Sequence, residues 1–381
     1  MKYLYIVLLI LLFTACNQPD RLEIQGTAPG IKSGVFGIFD VLNKPIYGDN
    51  IFDGKFKINE LLEYPGYYQV KVTNMLDTKA THIPYEIYLE NGKYAIELNG
   101  ADLTKYPKIT TSSKKQNELS AYYTMADELM TTIQMQVKDQ TQFLKSGKAQ
   151  YLAGNDYLAK IEELKASRIK EKEIEATLVE KFFEKYPQSS ITAHFIRNLD
   201  YKSDAVRYYA LFNKLSDEAK NTEEGKELKE ALSRLVKLVP GETAPGIYGT
   251  APDGKPFDVK SINKKIILID FWRAGNQVSR ENHRLINSKI FFEVNNKKDF
   301  GVISLDLDEK RDWWLIAIKE DKMNWPQYSD LKGNDSKNVE AWGISRVPSY
   351  YLVDGNWKIL KRDVLFDDIS YEVGEYLEKK K

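Results

Sequence analysis

The stretch from Ile266 to Ser279 constrains the fold more than any other part of the chain. Ile266, Ile267, Leu268 and Ile269 run without a polar break into Asp270, Phe271 and Trp272. An unbroken apolar run rich in β-branched residues reads as a strand buried on both faces. Ala274 and Gly275 follow as a small-residue turn, and the stretch from Gln277 to Ile290 puts Val278, Leu285, Ile286 and Ile290 on one helical stripe. Arg280, Glu281 and Lys289 are left to face water. The sequence here predicts a strand, a turn and a helix at the centre of a sheet.

Asp270-Phe271-Trp272, three further residues, and then two positions spaced as Cys-x-x-Cys resemble the active-site signature of the thioredoxin superfamily, and within it the membrane-associated thiol-disulfide oxidoreductase branch. Asn276 and Ser279 stand where the resemblance calls for the two cysteines. Disulfide exchange needs a thiolate attacking sulfur, which a carboxamide or an unactivated hydroxyl cannot supply. The resemblance therefore implies a thioredoxin-like module in which thiol-disulfide oxidoreductase activity is not expected. A family-level label of redox homeostasis would describe ancestry.

A second motif is Gly343-Ile344-Ser345-Arg346-Val347-Pro348-Ser349, followed by Tyr350 to Asp354. In the family, a Val-Pro like Val347-Pro348 holds a cis peptide bond beside the active-site turn, and the preceding backbone pairs with an extended peptide. X-Pro is the one common setting for cis, and main-chain pairing is a strand-addition mode; a trans proline in an edge loop is the plainer alternative. Gly241-Glu242-Thr243-Ala244-Pro245 and Asp253-Gly254-Lys255-Pro256 resemble the N-terminal extension of the same branch, so the resemblance runs from Gly241 to the C-terminus.

The degenerate site is Asn276, Ser279 and Asp270. Asparagine is among the best N-cap residues, so Asn276 either caps the helix or contacts a ligand directly. Asp270 matches the family's buried carboxylate that serves the second cysteine; without that cysteine it becomes structural. Ser279 and His283 are four apart on a helix, which invites a non-thiol hydrolase reading, but no Gly-x-Ser-x-Gly elbow or orienting acid is evident. Trp272, Arg273, Val347 and Pro348 are the expected lining of a groove that would hold an extended peptide or an envelope protein. Arg273 and Arg280 flank the turn and suit either an anionic group or solvent.

Lys2 precedes a run of about 13 apolar or small residues, Tyr3 to Ala15, too short to span roughly 30 Å of hydrocarbon. Thr14-Ala15-Cys16 resembles the bacterial lipoprotein signal, with an ordinary secretory signal as the plainer alternative. The resemblance implies cleavage before Cys16, acylation of that residue (palmitate among the chains) and an anchor in the outer membrane facing the periplasm. Cys16 is the only cysteine in the sequence. Once lipidated, it leaves no thiol for a disulfide, an electron cycle or a metal.

Four regions are expected: a leader at 1–15, an all-β sandwich-like domain at 16–110, a helical region at 111–239 and an α/β thioredoxin-like domain at 240–381. In the first domain Arg21 to Gln25 alternate, Gly34 to Phe39, Tyr67 to Val72 and Tyr85 to Leu89 are strand-like, and Asp53-Gly54 and Asn91-Gly92 mark hairpins. It resembles the β-rich domain of unknown function found ahead of thioredoxin modules in envelope lipoproteins. In the helical region Pro187 ends one helix, and Ser189 or Ser190 can cap the next, from Ile191 to Leu199. Lys+Arg and Asp+Glu are equal at 55 each, so no charged field recruits nucleic acid. His82 and His194 form no metal-ligand spacing, and neither a metal nor a cofactor is implied.

Overall fold

A computed structural model describes residues 21–77, 84–261, 263–294 and 298–379. The expected leader, Cys16 and His82 lie outside the described residues. Two compact units emerge: the described residues up to Asp200 together with Lys214–Gly225, and Tyr201–Asn213 together with Lys226 onward. Among the described residues no helix is long and apolar enough to cross a membrane.

The first unit is built on eight strands: β1 (Leu22–Thr27), β2 (Ser33–Phe39), β3 (Pro45–Phe52), β4 (Lys55–Glu60), β5 (Gly66–Asn74), β6 (Tyr85–Leu89), β7 (Gly92–Glu97) and β8 (Lys108–Thr111). They hydrogen-bond in the order β6-β5-β2-β3-β4-β1-β7-β8. The sandwich-like expectation meets a single hydrogen-bonded sheet whose two halves share one ladder pair, Phe52 with Lys55, backed by the Asp49 carboxylate accepting from the Lys57 N–H at 2.8 Å. Asp53 and Gly54 turn the chain there with φ of 48° and 71°, the geometry that Asp-Gly supplies in a tight hairpin. Both halves contribute to one core, and Phe36 of β2 stacks on Phe56 of β4 at 4.2 Å although β3 lies between them in the order. Gly26 makes room for this: a Cβ there would come within 1.9 Å of the Phe56 ring.

Two helices of 32 residues each, Lys114–Lys145 and Gly154–Lys185, follow the sheet in sequence. The second stops before Pro187, as expected. The helix at Thr192–Asn198 is shorter than its sequence suggests, with Ile191 at its N-cap position. The Ser189 hydroxyl accepts from the Ile191 N–H at 3.3 Å just before it and donates to the buried Glu118 at 2.7 Å.

The second unit has a five-stranded sheet ordered β11-β10-β9-β12-β13, with β9 at Ile266–Trp272, β10 at Phe300–Asp306, β11 at Gln327–Ser329, β12 at Ser349–Asp354 and β13 at Ile359–Lys361. β10 runs parallel to β9 and β11, whereas β12 is antiparallel to β9. All seven residues of β9 are buried. Burial of each large apolar side chain is worth roughly 1.5–3 kcal/mol, which is why this run sits centrally. Ile266, Leu268 and Trp272 enter the core with Ile286 and Ile290 and with the helices Arg311–Glu320 and Ile369–Lys379. Ile267, Ile269 and Phe271 enter the opposite core with Trp342 and Trp357.

The helix after β9 corrects the expected stripe. Val278 and Leu285 are exposed, while Ser279, Asn282 and His283 face inward with Ile286 and Ile290. Those five positions keep the i, i+3, i+4, i+7 spacing, but the inward face near the turn is polar. The short strand β11 has no counterpart in the sequence-based reading.

Candidate functional site

Asn276 begins the helix at the C-terminal end of β9, in an extended conformation. Its Oδ1 accepts from the Ser279 N–H at 2.9 Å, satisfying one of the free amides of the first turn. Its Nδ2 donates toward the Val347 carbonyl oxygen at 3.4 Å, and Val347–Pro348 is a cis peptide bond. The turn and the proline loop are therefore side by side, and the carboxamide is engaged at both ends.

Beneath the turn lies a buried chain of ionisable groups. Asp270 Oδ2 accepts from the Ser304 hydroxyl at 2.7 Å and lies 3.1 Å from His283 Nε2. His283 Nδ1 lies 3.2 Å from Asp321 Oδ2. Arg280 grips Asp321 through Nε and, at 3.0 Å, through Nη2, while Arg284 reaches it at 3.3 Å. Asp270, His283 and Asp321 are all buried. The orienting acids missing from the sequence-based reading exist, but they occupy both imidazole nitrogens. Neither nitrogen is left to take a proton from Ser279, whose buried Oγ has no partner among the described residues. The arrangement does not make a serine nucleophile.

Asp321 follows the helix Arg311–Glu320, 38 residues from His283. No local signal in the sequence pointed to this partner. A second carboxylate pair braces the turn from β10. Asp308 accepts from the Ala274 N–H at 2.5 Å, and Asp306 accepts from the Asp308 N–H at 3.2 Å and the Ser329 hydroxyl at 3.0 Å. Burial, reinforced by Asp308, pushes Asp306 far above the ordinary carboxyl range.

The groove lining needs one correction. Trp272 is 0% exposed and packs edge-on against His283 at 4.6 Å, so it supports the site from below and cannot touch a ligand. Arg273 is half-buried and reaches Asn334 at 2.5 Å. Val347 and Pro348 are half-buried beside Asn276, while Val278 and Arg346, which were not among the expected lining residues, are exposed next to them along the chain.

The order β11-β10-β9-β12-β13, the helix that starts at the end of β9 and the proline loop facing that start define a thioredoxin-like domain. No family model matches the chain. Curated relatives do, among them the thiol-disulfide oxidoreductases ResA of Bacillus cereus, 22% identical over 148 residues, and of Bacillus anthracis, 22% identical over 143. Each match spans 38% of this chain and 79% of the relative. Among solved structures, the thioredoxin domain of a thiol-disulfide oxidoreductase from Bacteroides vulgatus is 28% identical, covering 38% of this chain and 98% of that one, with a TM-score of 0.32. A thioredoxin-like protein from Bacteroides caccae is 17% identical, covering 59% and 87%, with a TM-score of 0.44. The chain carries a thioredoxin-like domain similar in sequence to these thiol-disulfide oxidoreductases, together with β-rich and helical regions.

Proposed function

We propose that this protein is a lipid-anchored envelope component whose thioredoxin-like domain binds a partner and does not shuttle electrons. The observation that carries the reading is the double engagement of Asn276. At the helix start, where a dithiol scaffold places its nucleophile, it caps the first turn and contacts the loop before Pro348. The only cysteine, Cys16, is far from it in sequence, and a single thiol cannot close and reopen an internal disulfide.

In this reading Cys16 is acylated and holds the chain on the outer membrane, facing the periplasm. Several acyl chains, at about 0.8 kcal/mol per buried methylene, suffice for stable anchoring. The groove beside Asn276 and Pro348 takes an extended segment of an envelope protein, with Arg273, Val347 and Pro348 as its walls. Reduced, carboxymethylated lactalbumin is a suitable probe, being extended and free of thiols. It should bind the full chain saturably, and Val347→Trp should weaken binding by at least about tenfold, or 1.4 kcal/mol. Equal binding by the folded variant would count against the groove.

A further inference from the structure

β1 enters the first unit at Leu22, which pairs with Glu60 of β4 and with Gly92 of β7. Arg21, just before it, donates to the side chain and to the main chain of Asn59, both at 3.0 Å, so the point of entry is pinned to the end of β4. The loop after Glu60 and the hairpin between β2 and β3 lie at this same end. The Tyr47 hydroxyl of β3 donates to the Leu61 carbonyl at 2.7 Å, and the Tyr68 hydroxyl of β5 donates to the Tyr64 carbonyl at 2.6 Å. Turns usually carry small polar residues, but these do not. Val41 and Leu42 are 83% and 85% exposed, and Leu61 and Tyr64 are 64% and 68% exposed. The hairpin tip is built to hold its pair out: the Asp40 carboxylate accepts from the Leu42 N–H at 2.9 Å and the Lys44 N–H at 2.8 Å, and Asn43 takes a φ of 64°. Large apolar side chains gathered in water at one end of a domain mark a contact surface.

The chain leading into β1 says what covers this surface. Cys16 and Arg21 are five steps apart in sequence, and five steps of fully extended chain span at most about 18 Å. Acyl chains on Cys16 therefore keep the Leu22 end of the sheet, with its apolar loops, close to the bilayer surface. We infer that this end of the first unit docks on the membrane, with Val41, Leu42, Leu61 and Tyr64 entering the interfacial layer beside the acyl chains. The inference rests on the acylated Cys16 of the proposed function and adds a second, protein-borne contact to it. Tyrosine suits the level of the lipid headgroups. Arg21 and Lys44 stand against Asp40, Glu60 and Glu63 at this end, so there is no basic excess, and the contact is apolar and needs no anionic lipid. A few apolar tips bind a bilayer weakly by themselves, so the acyl chains hold the protein and the loops set its orientation.

The test uses the full chain purified from membranes and reconstituted on phosphatidylcholine vesicles. Its one cysteine carries lipid in this reading, so a second cysteine can be labelled selectively with a nitroxide. Leu42→Cys and Tyr64→Cys place the label in the two loops. Phe52→Cys places it at the opposite end of β3, at a residue that is itself 81% exposed. All three replace exposed side chains and leave the core intact. On vesicles, the labels at 42 and 64 should gain collisions with oxygen and lose collisions with a water-soluble nickel chelate, while the label at 52 stays open to nickel. Failure of the chain to float with vesicles would overturn the acylation reading and this inference with it. Flotation with labels at 42 and 64 as open to nickel as the label at 52 would overturn the inference alone. Shielding of 42 and 64 from both agents, or shielding without vesicles, would mean a protein contact at this end and would also overturn it.

Discussion

Asn276 and Val347 are 71 residues apart in sequence, yet the Asn276 amide nitrogen lies 3.4 Å from the Val347 carbonyl oxygen. The same side chain accepts from Ser279 N–H at 2.9 Å. One carboxamide thus starts a helix and touches the loop that forms the other wall of the groove. A thiol could do neither as well, being a weak donor and a weak acceptor.

Asn276→Ala removes the cap and should cost about 1 kcal/mol of folding stability. Asn276→Asp keeps the accepting oxygen and adds a favourable charge at the helix start, so it should stay within about 0.5 kcal/mol of the parent. Urea midpoints at unchanged slope separate the two outcomes; equal losses would mean that the cap contributes little.

Asp321→Ala leaves Arg280 and the buried His283 without their shared carboxylate. Breaking a buried ion pair from one side typically costs about 3–5 kcal/mol, and a loss of that size is expected in the same denaturation experiment. A change below about 1 kcal/mol, the range of a surface pair, would show that the Asp270–His283–Asp321 chain is not a structural element.

Much of the C-terminal fold was legible because its signals are local. The apolar run Ile266–Ile269 marks a central strand, and Val347-Pro348 marks the loop that faces the start of the helix after it. The helix face was misassigned for a physical reason. Hydrophobic periodicity assigns polar side chains to water, yet Ser279, Asn282 and His283 turn inward, with Asn282 bonded to Tyr350 and His283 to two carboxylates. Asp321 was invisible because its role depends on a contact across 38 residues. β11 was missed because three residues after a proline carry too little pattern to register as a strand.

His194 supplies a pH signature in the first unit. It lies between Glu86 at 2.9 Å and Glu224 at 2.8 Å and stacks on Tyr67. Burial alone would lower its pKa, but the hydrogen bonds to Glu224 and Glu86 outweigh this and raise it from 6.5 to about 9. A raised pKa favours the charged form in the folded chain. Its stabilisation is therefore complete below pH 6.5 and lost as pH rises through about 9. The loss should be no more than roughly 3 kcal/mol, and His194→Gln should flatten that part of the stability profile. An unchanged slope in the variant would assign the pH dependence elsewhere.

Cys16→Ser should move the protein from the membrane fraction to the soluble fraction and abolish incorporation of labelled palmitate. Retention of membrane binding without label would separate anchoring from acylation and count against the lipoprotein reading.

Insulin reduction driven by dithiothreitol tests the central claim most directly, with the full chain compared against a no-protein control and an active thioredoxin. The expected rate equals the control at every protein concentration. A rate that rises with protein concentration, and survives Cys16→Ser, would contradict a binding role without dithiol chemistry.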